Sequence, residues 1–233
     1  MPRREGNLES KDSSFRIGHR ERLRHKFLQG KLVDYELLEL LLTYAIPRCD
    51  VKPLSRDLIK AFGGVSGVLA APIESLTKVK GVKENTAVLI KLIHELMVTG
   101  HKSYLTDTPI FHDYQKLSEY CRLLLSGKPV EEFHVLYLDS NYKLLADDLH
   151  SSGTIDWAAV YPKEIVKRSL ELNASSIVML HNHPSANTSF SSDDIKITGD
   201  IKKILASIDV VLFDHLLVSG SIVYSAKNMF LIK

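Results

Sequence analysis

The chain has 233 residues, 45% apolar and 25% charged, which is room for one large or two small globular domains. Nothing approaches the roughly eighteen consecutive apolar residues of a membrane-spanning helix, and the N-terminus, MPRREGNLESKDSS, has no apolar run after its basic residues. Neither a membrane protein nor a signal peptide is expected, and two cysteines, Cys49 and Cys121, point to a reducing, cytoplasmic setting. The net charge of +2 is unevenly spread: residues 1–104 hold 18 Lys and Arg against 12 Asp and Glu, whereas residues 105–233 hold 12 against 16. A basic front and an acidic back imply two modules with different partners.

Residues 1–14 read as a disordered tail and 15–103 as a helical domain. FRIGHRERLRHKF (15–27) carries seven Arg, Lys and His residues. DYELLELLLTYAI (34–46) is strongly apolar and stops at Pro47, and LSRDLIKAF (54–62) stops at Gly63–Gly64. VSGVLAA (65–71) and IESLTKV (73–79) follow, then ENTAVLIKLIHELMVTG (84–100). There Val88, Leu89, Leu92, Ile93, Leu96 and Met97 form an amphipathic stripe, whose expected use is core packing. The polar stretch 99–109 reads as a crossover, with the linker placed at 104–112.

The remainder, 113–233, alternates helices and strands. A helix is expected over 114–127, a strand over 133–139, a turn at Ser140–Asn141 into KLLADDL, and a helix over 162–172 that opens on Pro162. SSIVMLHNH (175–183) reads as a buried strand, DDIKITGDIKKILASI (193–208) as a helix, and 210–225 as closing strands. This order predicts an α/β sandwich.

The chemistry concentrates in HNHPSANTSFSSDD (181–194). His181 and His183 stand two apart, so an extended backbone turns both imidazoles to one face. With Asp194 they make a three-ligand zinc set with a fourth position for water. Ser191-x-x-Asp194 is equally the outline of a helix capping box. Spacing alone leaves both readings open.

The full pattern, H-x-H-x7-S-x2-D, resembles the JAMM (MPN+) metalloprotease signature, and the surrounding text is similar to the bacterial RadC family. That likeness runs through EEFHVLYLDSNYKLL, SGTIDWAAVYPKEIVKRSLELNASSIVMLHNHPS and FDHLLV, and in the front half through GHRERLRHKF and DYELLELLLTYAI. It implies a small all-α domain followed by an α/β sandwich of JAMM/MPN, cytidine deaminase-like type. It also implies one Zn2+ held by His181, His183 and Asp194, with Ser191 supporting an oxyanion or the water. The family's glutamate falls on Glu131, as general base and then acid, with Glu132 as the fallback. Strand alternation lets only one of the two face the site. The implied activity is that of a metallopeptidase or isopeptidase acting on a protein or peptide. The chain departs from the family at Ala186, where RadC has glycine, and at Lys163, where it has arginine. Asp214–His215 matches the family and is read as structural or as support behind the ligands.

RadC proteins also resemble helix–hairpin–helix DNA-binding domains around TKVKGVKENTAVL (77–89), although Lys83 replaces the second hairpin glycine. DNA is therefore an expected partner of the basic module. Two rival readings follow: a metal-dependent nuclease or repair protein, and a non-catalytic DNA-bound adaptor with a structural metal. His94–Glu95 is no zincin motif, because Val98 stands where its second histidine belongs.

Overall fold

The computed structural model describes residues 9–110, 113–153, 161–185 and 187–231. The chain divides into two compact units, Met1–Ile93 and His94–Lys233.

The first unit is helical. It contains α1 (Glu9–Leu28), α2 (Asp34–Ala45), α3 (Lys52–Phe62), α4 (Val65–Ala70), α5 (Ile73–Leu76) and the start of α6 (Glu84–Asp107). Helix α2 ends because Ile46, which precedes Pro47, is extended. Its open carbonyl end is closed by Arg20, whose guanidinium donates to the carbonyls of Thr43 (3.3 Å), Ile46 (3.1 Å) and Cys49 (2.9 Å). His19 meets buried Glu39 at 2.7 Å, and Lys26 meets Glu36 at 2.8 Å. Several basic residues of the GHRERLRHKF segment thus hold the unit together. Leu38, Leu42, Leu58, Leu76, Ala87 and Ile90 form its core. Gly81, at φ +98°, makes the turn into α6 in a conformation that disfavours any side chain.

Three expectations are corrected here. Helix α1 begins at Glu9, inside the stretch read as a tail; residues 1–8 lie outside the described residues. Helix α6 runs to Asp107, through most of the stretch read as a crossover, and the unit boundary falls within it. Val98 and Leu105 bury one side of an otherwise polar segment, and that is enough to keep it helical. Of the expected linker, 111–112 lie outside the described residues. Finally, the apolar stripe of α6 is not its core face. Val88, Leu92, Leu96 and Met97 are 38–59% exposed, whereas Thr86, Ala87, Ile90, His94 and Val98 are buried. One of the buried polar groups has its partner within the second unit: His94 Nε2 donates to the Leu123 carbonyl at 3.0 Å.

The second unit is a five-stranded mixed sheet with helices on both faces. Its elements are α7 (Tyr114–Leu125), β1 (Glu131–Leu138), β2 (Leu144–Gly153), α8 (Pro162–Glu171), β3 (Ser176–Asn182), α9 (Ser192–Ala206), β4 (Val211–Ser219) and β5 (Ile222–Ser225). Strand order is β2-β1-β3-β4-β5, and only β3 and β4 are parallel, as the crossover through α9 requires. Every residue of β3 is buried, which explains its unbroken apolar run. Leu136, Leu138, Val178, Leu180 and Leu216 pack towards α7. Phe133, Val135, Tyr137 and Met179 pack towards Ile165 of α8 and Ile201 of α9. The candidate site lies where β3 ends and α9 begins.

Candidate metal centre

Strand β3 delivers His181 at its end and His183 just beyond it. Their Nε2 atoms stand 3.2 Å apart. Asp194 arrives from the first turn of α9, with Oδ1 3.4 Å from His181 Nε2 and Oδ2 3.6 Å from His183 Nε2. Glu131 reaches in from the start of β1, its Oε1 3.8 Å from His183 Nε2. Glu131, His181 and His183 offer ligand atoms that all lie within 4.8 Å of one another, and no other such group occurs among the described residues.

Local rules build this arrangement. Ser191 caps α9: its Oγ accepts from the Asp194 N–H at 3.1 Å, while its own N–H donates to Asp194 Oδ2 at 2.6 Å. The capping box and the metal reading are therefore not alternatives. The box uses Oδ2 and leaves Oδ1 buried with no hydrogen-bond partner. Glu131 and not Glu132 faces the histidines, because it shares a strand face with Phe133. Glu132 turns to the other side, towards Lys128 (3.2 Å) and His134 (3.4 Å).

The donor set fits a small divalent cation. His183 Nδ1 lies 3.1 Å from the Asn187 carbonyl, which can only accept, so a neutral His183 presents a bare Nε2 lone pair to the site. That lone pair faces His181 Nε2 and an unpartnered carboxylate oxygen, a repulsive cluster unless a proton or metal sits among them. Tetrahedral coordination with ligands about 2.0–2.1 Å from zinc sets ligand atoms roughly 3.3 Å apart. The 3.2 Å between the two imidazole Nε2 atoms and the 3.4 Å from His181 Nε2 to Asp194 Oδ1 are of that size.

Without a metal the cluster is electrostatically loaded. Burial pushes the Asp194 carboxyl up, but the two imidazoles and the Ser191 N–H outweigh it and hold the group well below the carboxylate range. Burial lowers His181, against the pull of Asp194. The neighbouring Asp194 carboxylate raises His183, against burial. Burial raises Glu131, with His183 opposing and Asp194 reinforcing the shift. A cavity of about 360 Å3 opens beside His183, lined by Lys128, Pro129, Asn182, Pro184 and Val218 among others. An apolar groove of about 570 Å3 in the first unit contains none of these site residues.

Residues that sequence reasoning missed or left vague complete the surroundings. The buried Asn182 side chain accepts from the Glu132 N–H at 2.8 Å and donates to the Val130 carbonyl at 3.1 Å, gripping the backbone on both sides of Glu131. His215 stands behind His181, its Nε2 2.9 Å from Nδ1. Asp214 points the other way, accepting from Tyr114 Oη (3.0 Å) and Ser225 Oγ (2.6 Å) as a structural anchor. Alternation along β4 splits the Asp214–His215 pair between these two tasks. Ala186 lies outside the described residues.

The family model of the RadC-like JAB domain matches residues 111–230. The chain belongs to the RadC-like JAB family. A UPF0758 protein of Ruegeria pomeroyi is 40% identical over 212 residues, spanning 90% of this chain and 95% of its own length. A UPF0758 protein of Rhodobacter capsulatus is 42% identical over 199 residues, spanning 84% of this chain and 93% of its own. JAB domains are often metal-dependent hydrolases, and many bind zinc. In this RadC-like chain the mixed sheet of the second unit, with its flanking helices, carries the candidate centre.

Proposed function

We propose that this RadC-like protein is a zinc-dependent hydrolase of amide or isopeptide bonds in a protein or peptide. One observation carries the reading: two imidazole Nε2 atoms 3.2 Å apart face a buried, unpartnered carboxylate oxygen, with a second carboxylate beside them. His181, His183 and Asp194 would hold the ion. When bound, zinc polarises a carbonyl and acidifies water towards a pKa of about 7.

The chain's own residues divide the rest. Asp194 is the better ligand of the two carboxylates, because it is fully buried and bound through Oδ2, leaving Oδ1 for a cation. Glu131 is the better proton carrier. Its side chain is 25% exposed and its carboxyl is raised by burial, so it can take a proton from water and return it to the leaving amine. Ser191 uses its Oγ lone pair for the cap, which leaves the hydroxyl proton for a developing oxyanion. On this reading the fold is the cytidine deaminase-like variant of the JAMM/MPN sandwich.

Zinc content by elemental analysis, on full chain purified without a chelating tag, tests the proposal, followed by turnover of an isopeptide-linked substrate. One zinc per chain, lost in His181→Ala and Asp194→Ala, is expected, with zinc kept and turnover lost in Glu131→Gln. A chain that takes up no zinc at neutral pH sinks it.

A role on DNA is the second reading, favoured by exposed Lys78, Lys80 and Lys83 around the Gly81 turn. Duplex binding that weakens steeply with salt, and weakens less steeply in Lys83→Ala, supports it. Salt-independent or absent binding removes it, and with it the nuclease and adaptor variants. No helix among the described residues is long and apolar enough to cross a membrane. A cytoplasmic site of action belongs to the same proposal.

A further inference from the structure

We propose that Thr198 and His215 are positioning residues that set the tautomer of His181, so that its Nε2 carries a lone pair and not a hydrogen. The inference deepens the metal-centre reading and rests on it. The hydrogen bonds form a chain that runs in one direction. Thr198 Oγ1 lies 2.5 Å from the Asp194 backbone carbonyl and 2.6 Å from His215 Nδ1. A carbonyl oxygen only accepts, so the single hydroxyl proton of Thr198 is committed to it. His215 Nδ1 must then donate to Thr198. A neutral His215 donating from Nδ1 has a bare Nε2, which lies 2.9 Å from His181 Nδ1. His181 must donate in turn, and its own Nε2 is left bare, facing His183 and Asp194.

The surroundings keep this order from being scrambled. His181 and His215 are both 0% exposed. Phe190 packs edge-on against both rings, with centroids 5.7 Å from His181 and 5.1 Å from His215, and Phe133 meets His215 at 6.2 Å. Bulk water cannot supply alternative partners there. The order starts at the peptide carbonyl of Asp194, so one residue of α9 offers a carboxylate to the site and anchors the relay that prepares its neighbour. An imidazole in the opposite tautomer would aim an N–H at the position a cation needs.

The first test reads tautomers directly, without metal. Full-length 15N-labelled chain, stripped of metal at mildly alkaline pH, is examined by long-range 1H–15N spectroscopy of the imidazoles. Both His181 and His215 are expected with the hydrogen on Nδ1. A hydrogen on Nε2 of either residue overturns the proposal.

The second test reads zinc affinity by chelator competition. Thr198→Val removes the anchor at nearly constant shape; it should move the His215 hydrogen to Nε2 and weaken zinc binding about 10–100-fold. Thr198→Ser should restore both. His215→Gln keeps an acceptor in place and should stay within about threefold of the parent, whereas His215→Leu should fall with Thr198→Val. Unchanged zinc affinity in Thr198→Val overturns the relay, and this variant keeps the test open if His215→Leu does not fold. A parent chain that binds no zinc defeats the metal reading instead, while the tautomer spectra still decide the relay.

Discussion

Asn182→Ala should damage stability and turnover together, for reasons that can be sized. Ladder pairing of β1 with β3 begins at Phe133–His181, so the backbone of Glu132 has no strand partner on that side. The Asn182 amide replaces one, accepting from Glu132 N–H and donating to Val130 O. Truncation leaves the N–H unpaired in a largely buried position, at about 1–3 kcal/mol. Val130 is 40% exposed, so its carbonyl can turn to water, and that loss is nearer 1 kcal/mol. The total is about 2–4 kcal/mol. For a unit of the size of His94–Lys233 that lowers Tm by roughly 6–12 °C. Glu131 sits between the two released groups, and a displacement on the order of 1 Å costs about 100-fold in turnover. Thermal unfolding of metal-stripped and zinc-loaded protein, with turnover of the isopeptide substrate, checks both. A variant with parental Tm and parental turnover would refute the argument that this amide holds the glutamate in place.

Acid stability should depend on Asp147. Burial pushes its carboxyl up, but hydrogen bonds with His134 and Tyr120 outweigh that and leave it below its ordinary 3.8. Its folded pKa is thus depressed, so its contribution is complete above about pH 4 and is lost as pH falls through the folded value. Asp147→Asn should be less stable than the parent at neutral pH, and urea unfolding across the acid range should show that gap closing below the 3.8 reference; a gap independent of pH contradicts this. Arg20→Lys should cost the first unit about 1–2 kcal/mol in denaturant unfolding, because an ammonium cannot span three carbonyls, and an unchanged midpoint would show the cap to be dispensable. Leu92→Lys, at a 50% exposed position, should shift stability by no more than about 0.5 kcal/mol, whereas a core leucine would cost several times that.

Much of the site was legible in the sequence because its logic is local. Alternation along a strand puts His181 and His183 on one side, and an N-cap box places Asp194 in the first turn of α9, whatever surrounds them. The helical front and the alternating back were legible for the same reason, since periodicity and breakers act over a few residues. Which side of a helix is buried is not local. The stripe of Val88, Leu92 and Leu96 has the right period, yet it is exposed; Ala87 and Ile90 join the core of the first unit and Val98 that of the second. The resemblance put the glutamate at Glu131 with Glu132 as fallback, and the pleat of β1 against β3 turns Glu131 to the histidines; the relay through Thr198 and His215 waited on the packing of α9 against β4. Sequence spacing nominated His181, His183 and Asp194 as candidate ligands. Only the tertiary structure decided which hydrogen bonds orient His181, because its relay partners Thr198 and His215 lie 17 and 34 residues away in the chain.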